Sequence, residues 1–316
     1  MPDPWARVPD AAVSGLGYGK YLAHATLAAG AAACAIVWAG WPIVSKLYVH
    51  QYDTGALAKG YQDLVDAAGD LGEGRSVVGE LVGGLGAEQW PGQSRRDFEE
   101  WMRGFAADLK DEEFLSRSLG ILILVSAAVL FAFVVYTSVV VMRLAWMALK
   151  VLRMSVGGGV GFLAAQVTVG AEARALYAQV EMMEKKLAFT LHGLAGTITS
   201  MLAVRVGKDG LTGDRQGLAD LRQATISQGP ALIWGVANHV ERNLTAAAMR
   251  GRSPLAKGKP RPISSVDDLA VGKLQMAAAA KGAFDVISGR MPTGFFVPER
   301  YDNGAYEGYE EIERRV

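Results

Sequence analysis

Residues 118–142 read SLGILILVSAAVLFAFVVYTSVVVM, 25 positions without Asp, Glu, Lys or Arg, bracketed by Arg117 and Arg143. At about 1.5 Å per residue a helix of that length reaches roughly 37 Å, more than the ~30 Å hydrocarbon core of a bilayer. Lipid offers no partner for a peptide amide, so a run of this kind must satisfy its own hydrogen bonds and is expected to be a transmembrane helix. Its bulky, branched side chains suit direct contact with lipid.

A second charge-free run of 25 residues, 21–45, lies between Lys20 and Lys46. It is built from smaller residues. Ala25, Ala29 and Ala33 recur every four positions, with Gly30 and Gly40 nearby, and this predicts a helix-packing face that brings another backbone close. Trp38, Trp41 and Tyr48 near its end, and Trp146 just past the other run, suit the membrane interface. The run is too long for a cleaved signal, and only Arg7 and Lys20 precede it as positive charges, so it reads as a signal-anchor.

Composition agrees with a few spans and a large water-facing remainder. Apolar residues make up 51% of the 316, charged residues 20%, and mean hydropathy is +0.18. Zero net charge argues against a nucleic-acid partner. The single cysteine, Cys34, excludes an internal disulfide and a Cys-based zinc site.

Charge divides unevenly along the chain. Residues 46–117 carry 8 Lys/Arg against 14 Asp/Glu, a net of −6, whereas 143–316 carry 22 against 16, a net of +6. Basic flanks stay in the cytoplasm. The expected topology is a multi-pass protein of the cytoplasmic membrane, both termini inside and the acidic segment outside.

That acidic segment has a helical pattern of its own. Leu57, Tyr61, Leu64, Ala68, Leu71, Val78, Val82 and Leu85 alternate spacings of three and four, with Arg75 the polar exception. Trp90, Pro91 and Gly92 then mark a turn. Ser94 with Asp97 suggests a capping box, and Phe98, Trp101 or Met102, Phe105 and Leu109 resume the helical spacing. Two helices joined by a short turn form an antiparallel αα-hairpin over 54–115, with Trp90 closing its open end.

A helix, a Trp-x-Gly turn and a bulky residue soon after it (Trp90, Gly92 and Phe98) resemble the Trp-x-Gly helical-hairpin (ESAT-like) substrates of type VII secretion systems, over about 60 residues. The resemblance implies dimerisation through hairpin faces and a role as a secreted partner or an export-targeting domain. It also implies a Tyr-x-x-x-Asp/Glu export signal, matched by Tyr306 with Glu310, Tyr309 with Glu313 and Tyr177 with Glu181. Here the hairpin lies between two apolar runs instead of at a free N-terminus, which favours an outward assembly surface.

The rest reads as membrane-proximal helix and linker. The glycines of 155–161 lack a Gly-Lys-Ser/Thr ending and read as a hinge or close-packing segment, not a phosphate loop. Residues 162–186 read as helix, with Leu163, Val167, Ala171, Ala175 and Val180 near one face and Glu181, Glu184, Lys185 and Lys186 at its end. The run 187–204 is charge-free but holds Thr190, His192, Thr197, Thr199 and Ser200. It is a third candidate span, better suited to an interface or a helical core. Residues 208–222 read as loop and 231–249 as helix. His239 and Glu241 lack a second histidine at zinc spacing. Residues 251–263 form a basic linker suited to anionic lipid heads, 264–289 a helix capped by Ser264 or Ser265, and 290–316 an acidic, aromatic tail.

The expected fold class is thus all-α: an integral membrane protein with a helical hairpin between its spans. No catalytic constellation is present, and neither a cofactor nor a metal is implied. The expected function is that of a non-enzymatic partner in a membrane assembly, secretion-related, with the bilayer and either itself or other membrane proteins as partners. The alternatives are a pore-forming or toxin-like effector and a conjugation- or phage-related membrane factor.

Overall fold

The computed structural model describes residues 8–85, 90, 92–156, 158–212, 240–248 and 281. Among the described residues the chain is all-helical. The helices are α1 (Asp10–Leu16), α2 (Gly19–Ile36), α3 (Trp41–Val49), α4 (Thr54–Gly84), α5 (Gln93–Ser155) and α6 (Gly159–Thr212), and residues 240–248 are helical as well. Contacts group them into two units, the first comprising Met1–Ala25, Gln51–Val140 and Gln179–Asp214, the second Thr26–His50, Val141–Ala178 and Arg215–Val316.

In the first unit α4 and α5 form an antiparallel pair. Asp53 caps α4 by accepting a hydrogen bond from the Ala56 N–H at 3.0 Å. Tyr61 and Ala58 pack with Ala127, and Leu57, Val65, Leu124 and Phe131 border that cluster. Gly120 lets α5 approach Tyr61 and Leu64 closely, and farther along Arg75 meets Glu113 at 3.3 Å. The apolar positions of the α4 heptad pattern are the ones turned inward: Tyr61 and Ala68 are buried, and Leu57, Leu64, Leu71, Val78, Val82 and Leu85 are half-buried.

The same unit holds the second antiparallel pair. Leu187 of α6 packs on Leu130 and Phe133 of α5, with Met183 and Leu191 beside it. Arg205 pairs with Glu112 at 2.6 Å. The N-terminal helix α1 lies on α4, and the Val8 N–H donates to the Tyr61 hydroxyl at 3.0 Å. The start of α2 meets the start of α4: the Thr54 hydroxyl donates to the Leu16 carbonyl, and Lys20 pairs with Asp53 at 3.1 Å.

In the second unit α2 and α3 lie back to back. Helix α2 stops at Ile36, a short 3-10 turn occupies Trp38–Gly40, and α3 begins with Trp41 and Pro42. Proline lacks an amide hydrogen and disfavours helix in the residue before it, so it ends one helix and opens the next. Gly30 of α2 faces Val44 and Leu47 of α3, and Gly40 sits against Cys34 and Leu144. The break frees the Ile36 carbonyl, which accepts a hydrogen bond from the Gln166 side chain. Trp38 meets Phe162 edge to face at 5.7 Å. The α5–α6 reversal turns on Gly158, whose φ of +89° lies in the left-handed region, and a side chain at Gly161 would meet the Met154 carbonyl.

Two sequence expectations, the straight run 21–45 and an interfacial Tyr48, change here. The run 21–45 is not one straight helix: it breaks at Trp38–Gly40, and α3 folds back beside Gly30 of α2. Its inward face is Ala23, Leu27, Gly30, Ala33, Cys34 and Val37, while Ala25 and Ala29 are exposed; of the three alanines only Ala33 packs within the chain. Tyr48 is fully buried instead of interfacial. Helix α5 runs 63 residues and α6 runs 54, so α6 continues through Lys208, where loop was expected.

By length and composition, two helices are suited to cross a membrane, α5 and α6. The third candidate, 187–204, lies in α6, and its hydroxyls bond back one turn. Thr190, Thr197, Thr199 and Ser200 donate to the carbonyls of Lys186, Gly193, Ala195 and Gly196. Polar side chains satisfied within their own helix do not interrupt it.

Candidate interaction surface

The residues 90–105 form a ladder of rings. Gly92 takes a φ of +114° and sets the turn. Trp90 meets Phe98 in a tilted contact at 5.3 Å, Phe98 meets Trp101 likewise at 6.3 Å, and Trp101 stacks on Phe105 at 6.1 Å. The Trp90 indole N–H donates to the Ser94 hydroxyl at 3.1 Å. Helix α5 begins at Gln93, so Ser94 lies inside it and is not its cap, and the Gln93 side-chain Nε2 donates to Asp97 at 2.6 Å.

The ladder is not core. Trp101 is 66% exposed and Phe105 44%, while Met102 takes the half-buried position next to Trp101. Val77 and Leu81 of α4 are exposed as well. Large rings in water at i and i+4 on one helix make a preformed apolar stripe, rigid because each ring restrains the next.

A second exposed stripe runs along α5. Ile121, Val125, Val135, Val139, Met142 and Trp146 all face outward at spacings that keep one helix face. On α6, Leu163, Val167, Phe189 and Val204 are exposed. The most apolar window of α5 is only 28% buried and that of α6 only 6%, far less than a core helix needs.

Between ladder and stripe lies a belt of charge joining α5 to α6. Lys208 reaches Asp108 at 3.2 Å and Asp111 at 2.5 Å, beside the Arg205–Glu112 pair. The hydrogen bond from Lys208 holds the Asp111 carboxyl below the usual carboxylate range, and the Asp111 and Asp108 carboxylates raise Lys208 in turn. The sequence offers no signal for these pairs, which join residues about a hundred positions apart.

A further charged group has an unexpected depth. Leu187 packs on Leu130 and Phe133, within the apolar run 118–142, so Glu181, Glu184, Lys185 and Lys186 lie beside that run instead of beyond it. Lys185 pairs with Glu181 at 3.5 Å. Tyr177 and Glu181 stand one turn apart on α6, inside a continuous helix. Tyr306, Glu310, Tyr309, Glu313, His239, the linker 251–263 and the segments 264–289 and 290–316, apart from Lys281, lie outside the described residues. Lys281 reaches the Tyr48 hydroxyl at 3.3 Å and pairs with Glu241. Among the described residues, no three His, Cys, Asp or Glu side chains gather as metal ligands would. In comparisons with family models, curated proteins and solved structures, the chain matches none.

Proposed function

We propose that this chain is a non-catalytic membrane-assembly protein that presents the aromatic ladder of its α4–α5 hairpin to a second copy. The observation that carries the reading is that one unbroken helix, α5, bears both the exposed ladder and the exposed apolar stripe. The stripe suits lipid, and the ladder suits protein: Trp and Tyr/Phe clusters dominate the energy of interfaces. The hairpin resemblance makes secretion the setting of the assembly. In mild detergent the full chain should be oligomeric, and Trp101→Glu with Phe105→Glu should return it to monomer. A wild-type chain that is strictly monomeric and co-purifies with nothing sinks the reading.

In this reading α5 and α6 are the two crossings. Because 21–45 folds back, α1 shares a side with the acidic hairpin, and that side is extracytoplasmic. With two crossings the chain that follows α6 returns to that same side, so this reading departs from the sequence expectation that both termini are cytoplasmic. With Cys34→Ser as background, single cysteines at Ser14 and Ser94 should both react with an impermeant reagent on intact cells, and one at Ser155 should not. Labelling of Ser14 and Ser94 from opposite sides would mean that 21–45 crosses after all.

The pore-forming reading retains one observation in its favour. Charges at 181–186 beside an apolar run are costly in lipid and often line a water-filled path. Ion leakage from vesicles loaded with the protein discriminates: an assembly scaffold gives none.

A further inference from the structure

The α5–α6 pair opens into a cleft of about 360 Å³ at the charged belt. Its walls are apolar: Phe114 and Leu115 from α5, Met201 and Val204 from α6. Its rim is ionic, with Asp111, Arg205 and Lys208 lining it and Asp108 and Glu112 bonded to the two cations. The apolar part lies toward the charge-free runs, which end at Ser118 on α5 and Val204 on α6. Asp111 stands seven residues before Ser118, about 10 Å along the helix axis, so the rim lies on the water side of the charge-free runs, next to the headgroup layer when those runs occupy the hydrocarbon core.

We infer that this cleft binds a zwitterionic phospholipid with a primary-amine headgroup, one acyl chain between Phe114, Leu115, Met201 and Val204 and the headgroup at the rim. The inference rests on the membrane reading above. The charge pattern selects the class. Two cations, Arg205 and Lys208, suit a phosphate, and Arg in particular binds phosphate through paired N–H donors. Three carboxylates, Asp108, Asp111 and Glu112, then need replacement donors, and a primary ammonium brings three N–H groups. A quaternary ammonium brings none, and an anionic headgroup leaves those carboxylates without a cation. The ligand is neutral overall, so its entry exchanges one set of ion pairs for another within the same site. A cleft that is merely greasy would not require both signs of charge at its mouth.

The test reconstitutes the full chain into phosphatidylcholine vesicles carrying a minor share of either phosphatidylethanolamine or phosphatidylglycerol. The protein is floated with the vesicles, extracted in mild detergent, and its retained lipid counted by native mass spectrometry. Phosphatidylethanolamine should be retained about tenfold over phosphatidylcholine, the scale of one charge-assisted hydrogen bond. Met201→Trp, which fills the cleft, should abolish retention. Asp111→Asn with Lys208→Gln, at exposed positions that the fold tolerates, should abolish the preference while helicity by circular dichroism stays unchanged. Equal retention of all three lipids, preferential retention of phosphatidylglycerol, or a preference that survives the double variant overturns the site alone. Failure to float with any vesicle overturns the membrane reading and the site with it.

Discussion

Two stretches of this chain are equally long and equally free of charge, yet they end in different structures. Residues 118–142 continue a single helix without interruption, whereas 21–45 fold back on themselves. The difference is side-chain size and one turn. Alanine and glycine let α2 and α3 lie close enough to pair, and Gly40, Trp41 and Pro42 supply the reversal. Branched residues along α5 leave one of its faces exposed. Charge-free length thus bounds what a segment is able to span; it does not decide whether the segment spans.

The contrast has its largest expected effect at the partner of the fold-back. Leu144 is fully buried against Gly40, and Leu144→Ala should cost roughly 2–5 kcal/mol in unfolding experiments in micelles. Its neighbour in the exposed stripe, Trp146, is a surface position, so Trp146→Phe should change stability by no more than about 0.5 kcal/mol. Equal losses at the two would erase the distinction between a face that packs and a face left exposed.

Gly40→Ala should come next, at about 1–3 kcal/mol, because the new methyl would sit 2.5 Å from the Cys34 sulfur and 3.2 Å from Leu144. In the Leu144→Ala background the same change should be milder, since space has opened beside it. Additive losses would place the strain elsewhere.

Smaller effects come from the ends of the fold-back. Asp53→Ala removes the α4 cap and should cost about 1 kcal/mol. Lys20→Ala should cost between zero and about 1 kcal/mol, because both partners of that pair are 43% exposed.

The smallest expected effect is that of pH. Burial, the largest influence on Asp53, raises its pKa, but hydrogen bonds from Ala56, Lys20 and Gly55 outweigh it and leave it lowered. A lowered carboxylate stabilises above its ordinary 3.8 and loses that contribution as pH falls below it. Lys208, raised above 10.5, stabilises below that value and loses its contribution only as pH climbs beyond it. From about pH 5 to 9 these groups should therefore leave unfolding unchanged. A slope there that disappears in Asp53→Ala or Lys208→Gln would contradict these assignments.

The hairpin was legible in the sequence because its two helices obey the period of their own contacts. Leu57 and Tyr61 pack with Leu124 and Ala127 of α5, and Leu64 lies beside Gly120, at the spacing that named them. Trp90, Phe98, Trp101 and Phe105 were legible as a group for the same reason, although periodicity alone did not separate inward Met102 from outward Trp101. The continuity of α6 was hidden by Thr190, Thr197 and Ser200, whose hydroxyls look like interruptions until their backward hydrogen bonds are seen. The rim of the cleft was hidden altogether. Asp111 and Lys208 are neighbours only because two helices of particular lengths reverse at Gly158, and small errors in register would have paired other residues.

The contact between Gly40 and Leu144 also bears on how the chain is made. Synthesis proceeds from the N-terminus at about 5–20 residues per second, so Leu144 emerges roughly 5–20 s after Gly40. For that interval the α2–α3 pair has no α5 to cover it. A ribosome slowed between the two would prolong that exposure.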